Sequence, residues 1–272
     1  MKYREKLGIY APNTQDWSQR ALNILEDDTF SWVVLREDQS KAKAEWLHHL
    51  GKRIILQATD HFNGDPHQAP GRIARELWAL AQGFREYAAK IVLDNEPNYQ
   101  PQGQDRWFAE QYARYYRALV AYWQWLDDGS RWELVSPAFV WSPFHNPLYW
   151  QQVLATTIYA PNMGAHSYWQ TLSQRQSPDW ALPWRKATRP YRNSDVFVLE
   201  MGCTNPMLTP VQRAQEEITF IRENVAEVVM LTRFILEGTS EWQFHFLTDD
   251  QLELYRQLAN EEIPETEASD ES

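Results

Sequence analysis

The chain has a single cysteine, Cys203, in 272 residues, which excludes an internal disulfide and suits a reducing compartment or indifference to redox state. No His or Asn motif of a thiol enzyme accompanies it, so Cys203 reads as a packed small residue, not a nucleophile. Nowhere do eighteen apolar residues follow one another, and no membrane-spanning helix is expected. The N-terminus enters a strand run almost at once, without an apolar stretch behind its basic residues, so no secretory signal is expected. A cytoplasmic location is the expectation, with lysis or a non-standard route as other ways out. Bases are short relative to acids, 26 Lys and Arg against 37 Asp and Glu, for a net charge of -11. The last twelve residues carry six acids and no base, leaving -5 for the body; 261–272 reads as a solvated, disordered tail. An acidic body disfavours nucleic acid and anionic membrane as partners. No HxxxH or CxxC spacing occurs: His48 and His49 fall on a helix, and Asp60, His61, Asp65 and His67 in a loop. Neither a metal nor any other cofactor is expected, and the oligomeric state is open.

What is abundant is aromatic: fourteen Trp and thirteen Tyr, beyond what a core of this size requires. Some belong on a surface or in a cleft, where flat apolar faces suit sugar rings. A chain of this length buries about three quarters of its unfolded surface, enough for one large core. Short Val-, Ile- and Leu-rich runs alternate with amphipathic helical patterns, the mark of βα units around a parallel sheet. Eight runs are counted, at 7–11, 31–36, 53–58, 90–94, 132–136, 163–168, 195–202 and 227–236. The helical patterns fall near 16–26, 39–50, 72–88, 105–127, 148–156, 209–224 and 249–259. Eight units with a closing helix are the arithmetic of a single-domain (β/α)8 TIM barrel spanning 1–260.

In such barrels the C-terminal strand ends form the floor of the active site. The fourth run, Lys90-Ile-Val-Leu-Asp-Asn-Glu-Pro97, stops at Glu96, and the seventh, Asp195-Val-Phe-Val-Leu-Glu-Met-Gly202, closes on Glu200. Strands four and seven face each other across the mouth, so two carboxylates far apart in sequence could meet there. Hydrolysis of a glycosidic bond needs such a pair, one donating a proton and one staying ionised, roughly 5 to 5.5 Å apart in retaining enzymes.

Asn95-Glu96-Pro97 at the fourth strand end with Glu200 at the seventh resembles clan A of the glycoside hydrolases, a superfamily of retaining barrels, over about residues 6–260. The resemblance implies Glu96 as acid/base, Glu200 as nucleophile and Asn95 as the holder of the sugar's 2-hydroxyl. Arg36, ending the second strand, and the His166-x-Tyr168 of the sixth match further positions; in the clan such an Arg and Tyr hydrogen-bond the nucleophile. His61, past the third strand, matches loosely. The clan's Trp at the end of strand eight has no counterpart in Phe234-Ile-Leu-Glu-Gly238, the nearest being Trp242. The expected activity is retaining hydrolysis of a β-linked oligo- or polysaccharide. A carbohydrate-binding barrel without hydrolysis, and a transglycosylase sharing the covalent intermediate, are the alternatives.

Each residue also has a plainer reading. Arg36 could pair with Glu37 or Asp38, Asn95 could be a turn residue before Pro97, and His166 and Tyr168 could be satisfied core residues. Glu237 is the rival carboxylate. Loop aromatics Trp141, Phe144, Tyr149, Trp169, Trp180 and Trp184 are expected around the cleft, whereas Trp107, Tyr116 and Trp123 are expected to pack between helices and barrel. The connection after strand six carries Arg175, Arg185, Lys186, Arg189 and Arg192 against Asp179. It is either a solvated loop or an acceptor for an acidic sugar.

Overall fold

The computed structural model describes residues 1–11, 16–58, 69–94, 109–127, 132–139, 162–186, 194–233 and 247–264. The apolar runs form eight strands: β1 Leu7–Tyr10, β2 Trp32–Arg36, β3 Arg53–Gln57, β4 Ala88–Val92, β5 Glu133–Val135, β6 Met163–Trp169, β7 Val196–Cys203 and β8 Met230–Arg233. Between and after them lie α1 Gln19–Glu26, α2 Lys41–His49, α3 Pro70–Gln82, α4 Ala109–Leu126, α5 Leu172–Arg175, α6 Pro210–Asn224 and α7 Asp249–Asn260. All strand pairs are parallel, in the order β5-β4-β3-β2-β1-β8-β7-β6. The two edge strands meet through a parallel bridge from Val135 to Asn162, with Ser136 N donating to Asn162 O at 2.9 Å. This is a TIM barrel. At the seam Gly164 is required, because a Cβ there would be driven into the Ser136 carbonyl oxygen.

Strand alternation sorts the side chains into two layers. Tyr10, Trp32, Val34, Ile55, Val92, Val135, Phe197 and Met230 fill the barrel interior, while Ile9, Val33, Leu35, Leu56, Ile91, Trp169 and Leu231 join the helices in the outer core. Helix starts follow local chemistry: Ser18 and Ser40 accept from Ala21 N and Lys43 N, and Thr209 with Gln212 and Thr248 with Gln251 form capping boxes. Gly51, at φ +75°, ends the turn after α2. No helix among the described residues is long and apolar enough to cross a membrane.

Several boundaries differ from the sequence reading. The third helix stops at Gln82, and Ala88 opens β4, because the turn of residues 83–87 closes on Phe84 O through the N–H groups of Tyr87 and Ala88. The first helix begins at Gln19, where the Ser18 cap allows it. Residues 225–227 form a 3₁₀ turn, so the eighth strand starts at Met230. The acidic tail does not begin at Glu261: Glu261 O accepts from Tyr3 N, Ile263 N donates to Met1 O, and Arg222 pairs with Glu261 at 2.7 Å. Residues 265–272 and the expected helix at 148–156 lie outside the described residues.

Candidate active site

Glu200 is where the mouth is assembled. Simple alternation along β7 sends Phe197 and Leu199 inward and would send Glu200 out toward the helices. The register shows why it does not: Val198 and Met201 pair with Leu231 and Arg233 of β8, so β7 holds one more residue than its neighbour. On the other side Ala165 and His166 pair with Val198 and Glu200, the same extra residue seen from β6. A β-bulge of this kind re-aims the side chains that follow it, and here it turns Glu200 to the side of the sheet that His166 and Tyr168 face.

Glu200 is 5% exposed. The Tyr168 hydroxyl donates to its Oε2 at 2.9 Å, and His166 Nε2 lies 3.7 Å from its Oε1. The His166 and Tyr168 rings meet edge to face at 6.3 Å. Burial alone disfavours a carboxylate, and donation by a hydroxyl favours it. These three expected residues therefore converge.

Arg36 ends β2, its side chain 26% exposed and 3.7 Å from Asp38. Its charge reaches the barrel mouth all the same: Arg36, Glu200, Glu37 and Asp38 all act on the hydroxyl of Tyr10. That hydroxyl is buried at the end of β1 and donates to Gln57 Oε1, at the end of β3, at 2.6 Å. Burial first, then the charge of Glu200, hold the Tyr10 pKa well above its ordinary value. The sequence reading missed both Tyr10 and Gln57. The available signal was a polar residue at the last inward position of an apolar strand.

Past β4, Asp94 adopts φ +145°, a region that residues with a Cβ rarely occupy. It is buried and accepts from the Tyr112 hydroxyl of α4 at 2.9 Å. Strain of this kind costs about 1–3 kcal/mol and collects at functional sites; here it sits immediately before Asn95 and Glu96. Asn95, Glu96, His61, Trp141 and Trp242 lie outside the described residues.

Trp169 corrects the expectation of a cleft aromatic. It is one residue out of phase with His166 and Tyr168, so alternation turns it to the outer face. There it is 1% exposed and stacks on Phe220 of α6 at 4.6 Å. Trp180 and Trp184 also pack on the outer core. Of the basic residues of the same connection, Arg189 and Arg192 lie outside the described residues, and the other three are engaged in ion pairs. Arg175 pairs with Glu216 and Glu223, Arg185 with Glu227, and Lys186 with Asp179. The two arginines fasten the segment to α6 and its C-terminal turn, and the Lys186 pair lies within the segment. Tyr116 and Trp123 pack between helix and barrel as expected, and Cys203 is buried.

No protein-family model matches this sequence, and no curated protein does. Solved structures do. An endo-β-1,3-glucanase of glycoside hydrolase family 128 (subgroup II) from Sorangium cellulosum aligns over 93% of this chain and 98% of its own, with a TM-score of 0.67 at 16% identity. The fold is one that glycoside hydrolases share. An endoglucanase from Pseudomonas stutzeri covers 96% of this chain and 97% of its own, with a TM-score of 0.60 at 15% identity. A family 128 (subgroup VII) protein from Cryptococcus neoformans, described as oligosaccharide-binding, covers 94% and 95%, with a TM-score of 0.58 at 14% identity. These barrels share nearly the whole length of this chain.

Proposed function

We propose that this chain is a retaining glycoside hydrolase acting on a β-linked glycan, with Glu200 as nucleophile and Glu96 as acid/base. The observation that carries the reading is the bulge in β7. It turns a buried carboxylate toward Tyr168 and His166 at the strand end where a glycosidase of this fold needs its nucleophile. Glu200 attacks the anomeric carbon and forms a glycosyl ester, while Glu96 gives its proton to the departing oxygen. Glu96 then takes a proton from water, the water oxygen attacks the anomeric carbon, and the ester bond to Glu200 breaks. The strained Asp94, tied to Tyr112, holds the chain directly before Asn95 and Glu96. The likeness to endo-β-1,3-glucanases and endoglucanases supports a β-glucan as substrate.

Replacing Glu200 with Gln should lower turnover of β-1,3- and β-1,4-glucans by about a thousandfold or more, with the melting temperature kept. Retained turnover would remove Glu200 from the mechanism. Glu96→Ala should slow glucan hydrolysis far more than hydrolysis of dinitrophenyl β-glycosides, whose leaving group needs little protonation. Equal slowing would count against its acid role. The similarity to an oligosaccharide-binding protein favours one second reading, a barrel that binds sugar without cleaving it. Calorimetric binding of laminari-oligosaccharides with no product on prolonged incubation would select it. Longer oligosaccharides among the products would mark a transglycosylase.

A further inference from the structure

Two residues of β7, Leu199 and Glu200, stand opposite the single Thr232 of β8, and the ladder resumes where Met201 pairs with Arg233. A bulge disrupts the ladder locally and bends its strand, so the strand ends beyond it need another anchor. The side chain at that place is Glu217 of α6, 1% exposed. Its Oε1 accepts from the backbone N–H of Cys203, the last residue of β7, at 3.0 Å, and its Oε2 lies 3.2 Å from Nε of Arg233, the last residue of β8. The Tyr255 hydroxyl of α7 donates to the same Oε2 at 2.7 Å. One buried carboxylate therefore joins β7, β8, α6 and α7.

The link to the mouth runs through Gly202. A Cβ built there would stand 3.5 Å from Glu217 Oε1 and 3.5 Å from Tyr168 Cε1, so the carboxylate and the ring whose hydroxyl donates to Glu200 border the same residue. We propose that Glu217 is a positioning residue for Glu200: its two oxygens hold Cys203 of β7 and Arg233 of β8 in the register beyond the bulge, and that register keeps Glu200 against Tyr168. This rests on the reading of Glu200 as nucleophile. A carboxylate suits the task because it has an acceptor oxygen for each strand. A slip of one residue would turn Glu200 to the helices, since the side-chain period of a strand is two.

Fold stability alone does not call for this pair. A buried ion pair loses hydration that its attraction only partly returns, and apolar side chains of similar volume replace such pairs with little change in stability. Removing one partner is different, because it leaves a buried charge uncompensated. The side chains of Arg233 and Glu217 are 2% and 1% exposed, so position and stability can be separated by the choice of substitution.

The test uses two variants of the full chain. Glu217→Leu combined with Arg233→Met replaces the pair by apolar side chains and removes the acceptor for Cys203 N. Its melting temperature should stay within about 3 °C of the parent's, while kcat on dinitrophenyl β-cellobioside falls about thirtyfold and KM moves by less than about threefold. Glu217→Gln keeps an oxygen for Cys203 N and leaves Arg233 without its charge partner. It should do the reverse, losing several degrees of melting temperature and keeping kcat within about threefold of the parent's. Amide hydrogen exchange needs no substrate: Met201 and Cys203 should exchange about tenfold faster or more in the double variant, although its melting temperature is kept. Full kcat in the folded double variant, or unchanged exchange at Met201, overturns the proposal. So does a loss of about thirtyfold in Glu217→Gln, which keeps the proposal falsifiable if the double variant does not fold. Turnover that survives Glu200→Gln would remove the nucleophile reading instead, and the exchange result would still stand or fall by itself.

Discussion

The two ends of this barrel are built from the same eight strands and treat charge in opposite ways. At the N-terminal end, charged groups are neutralised or laid over aromatic rings. Lys90 pairs with Glu133 and lies 5.1 Å from the Phe197 ring centre, and Arg53 lies 4.2 Å over Trp32. Lys52 Nζ donates to the carbonyls of Asp27 and Phe30 at 2.6 and 2.8 Å, and Lys6 Nζ to those of Val225 and Val228, both at 2.7 Å. A cavity of about 400 Å³ lined by Trp32, Arg53, Lys90 and Glu133 opens beside these groups. At the C-terminal end the same sheet holds a residue at positive φ and, turned to the mouth by the bulge in β7, a buried carboxylate. Charged groups close the fold at one end, and at the other a carboxylate is held inside the mouth. Stability and chemistry are divided between the ends because loops at the C-terminal end can vary without opening the sheet.

That division is testable. Tyr168→Phe removes one hydroxyl donor from Glu200 and should lower kcat/KM by about tenfold to a hundredfold, the worth of a hydrogen bond to a charged group. Its melting temperature should stay within about 2 °C; a large thermal loss with intact activity would mean that the mouth is structural after all. Lys90→Met at the opposite end should do the reverse. It should change stability by about 1 kcal/mol or less, since Glu133 is 59% exposed, and leave kcat/KM within about twofold. A drop in activity matching that of Tyr168→Phe would erase the distinction between the ends. The smallest effect concerns Glu227, which follows α6 in the turn before β8. Burial raises its pKa, and the bonds from Arg185 and Trp184 outweigh that, so the net shift is downward. A lowered carboxylate pKa adds stability above the unfolded value, and that stability is lost as pH falls through the folded value. Glu227→Gln should therefore lower the melting temperature by about 2 °C or less at neutral pH, and by nothing once the medium is acid enough to protonate Glu227 in the parent. A gap that persists in acid would assign the loss to packing.

The eight strands, most of the helices and the polarity of each strand end were legible in the one-dimensional pattern. Burial on both faces produces apolar runs, and helix starts depend on chemistry within three residues. Alternation within Met163–Trp169 was legible too, and applied strictly it would have turned Trp169 away from the cleft. His166, Tyr168 and Glu200 were found from motif and position. The meeting of Tyr168 with Glu200 was expected from the resemblance; the bulge in β7 that allows it was not, because local composition does not announce it. The pairing of Tyr10 with Gln57 was equally hidden, and so was the capture of Arg175 and Arg185 by acids around α6, since each joins segments about 40 or more residues apart.

By itself the sequence determined the barrel and the kind of groups available at its mouth, because periodicity, capping and strand polarity are local properties of the chain. Only the tertiary structure decided which of those groups meet. Strand register and the placement of one extra residue set whether Glu200 faces the mouth or the helices, and register is the outcome of all eight strands pairing at once.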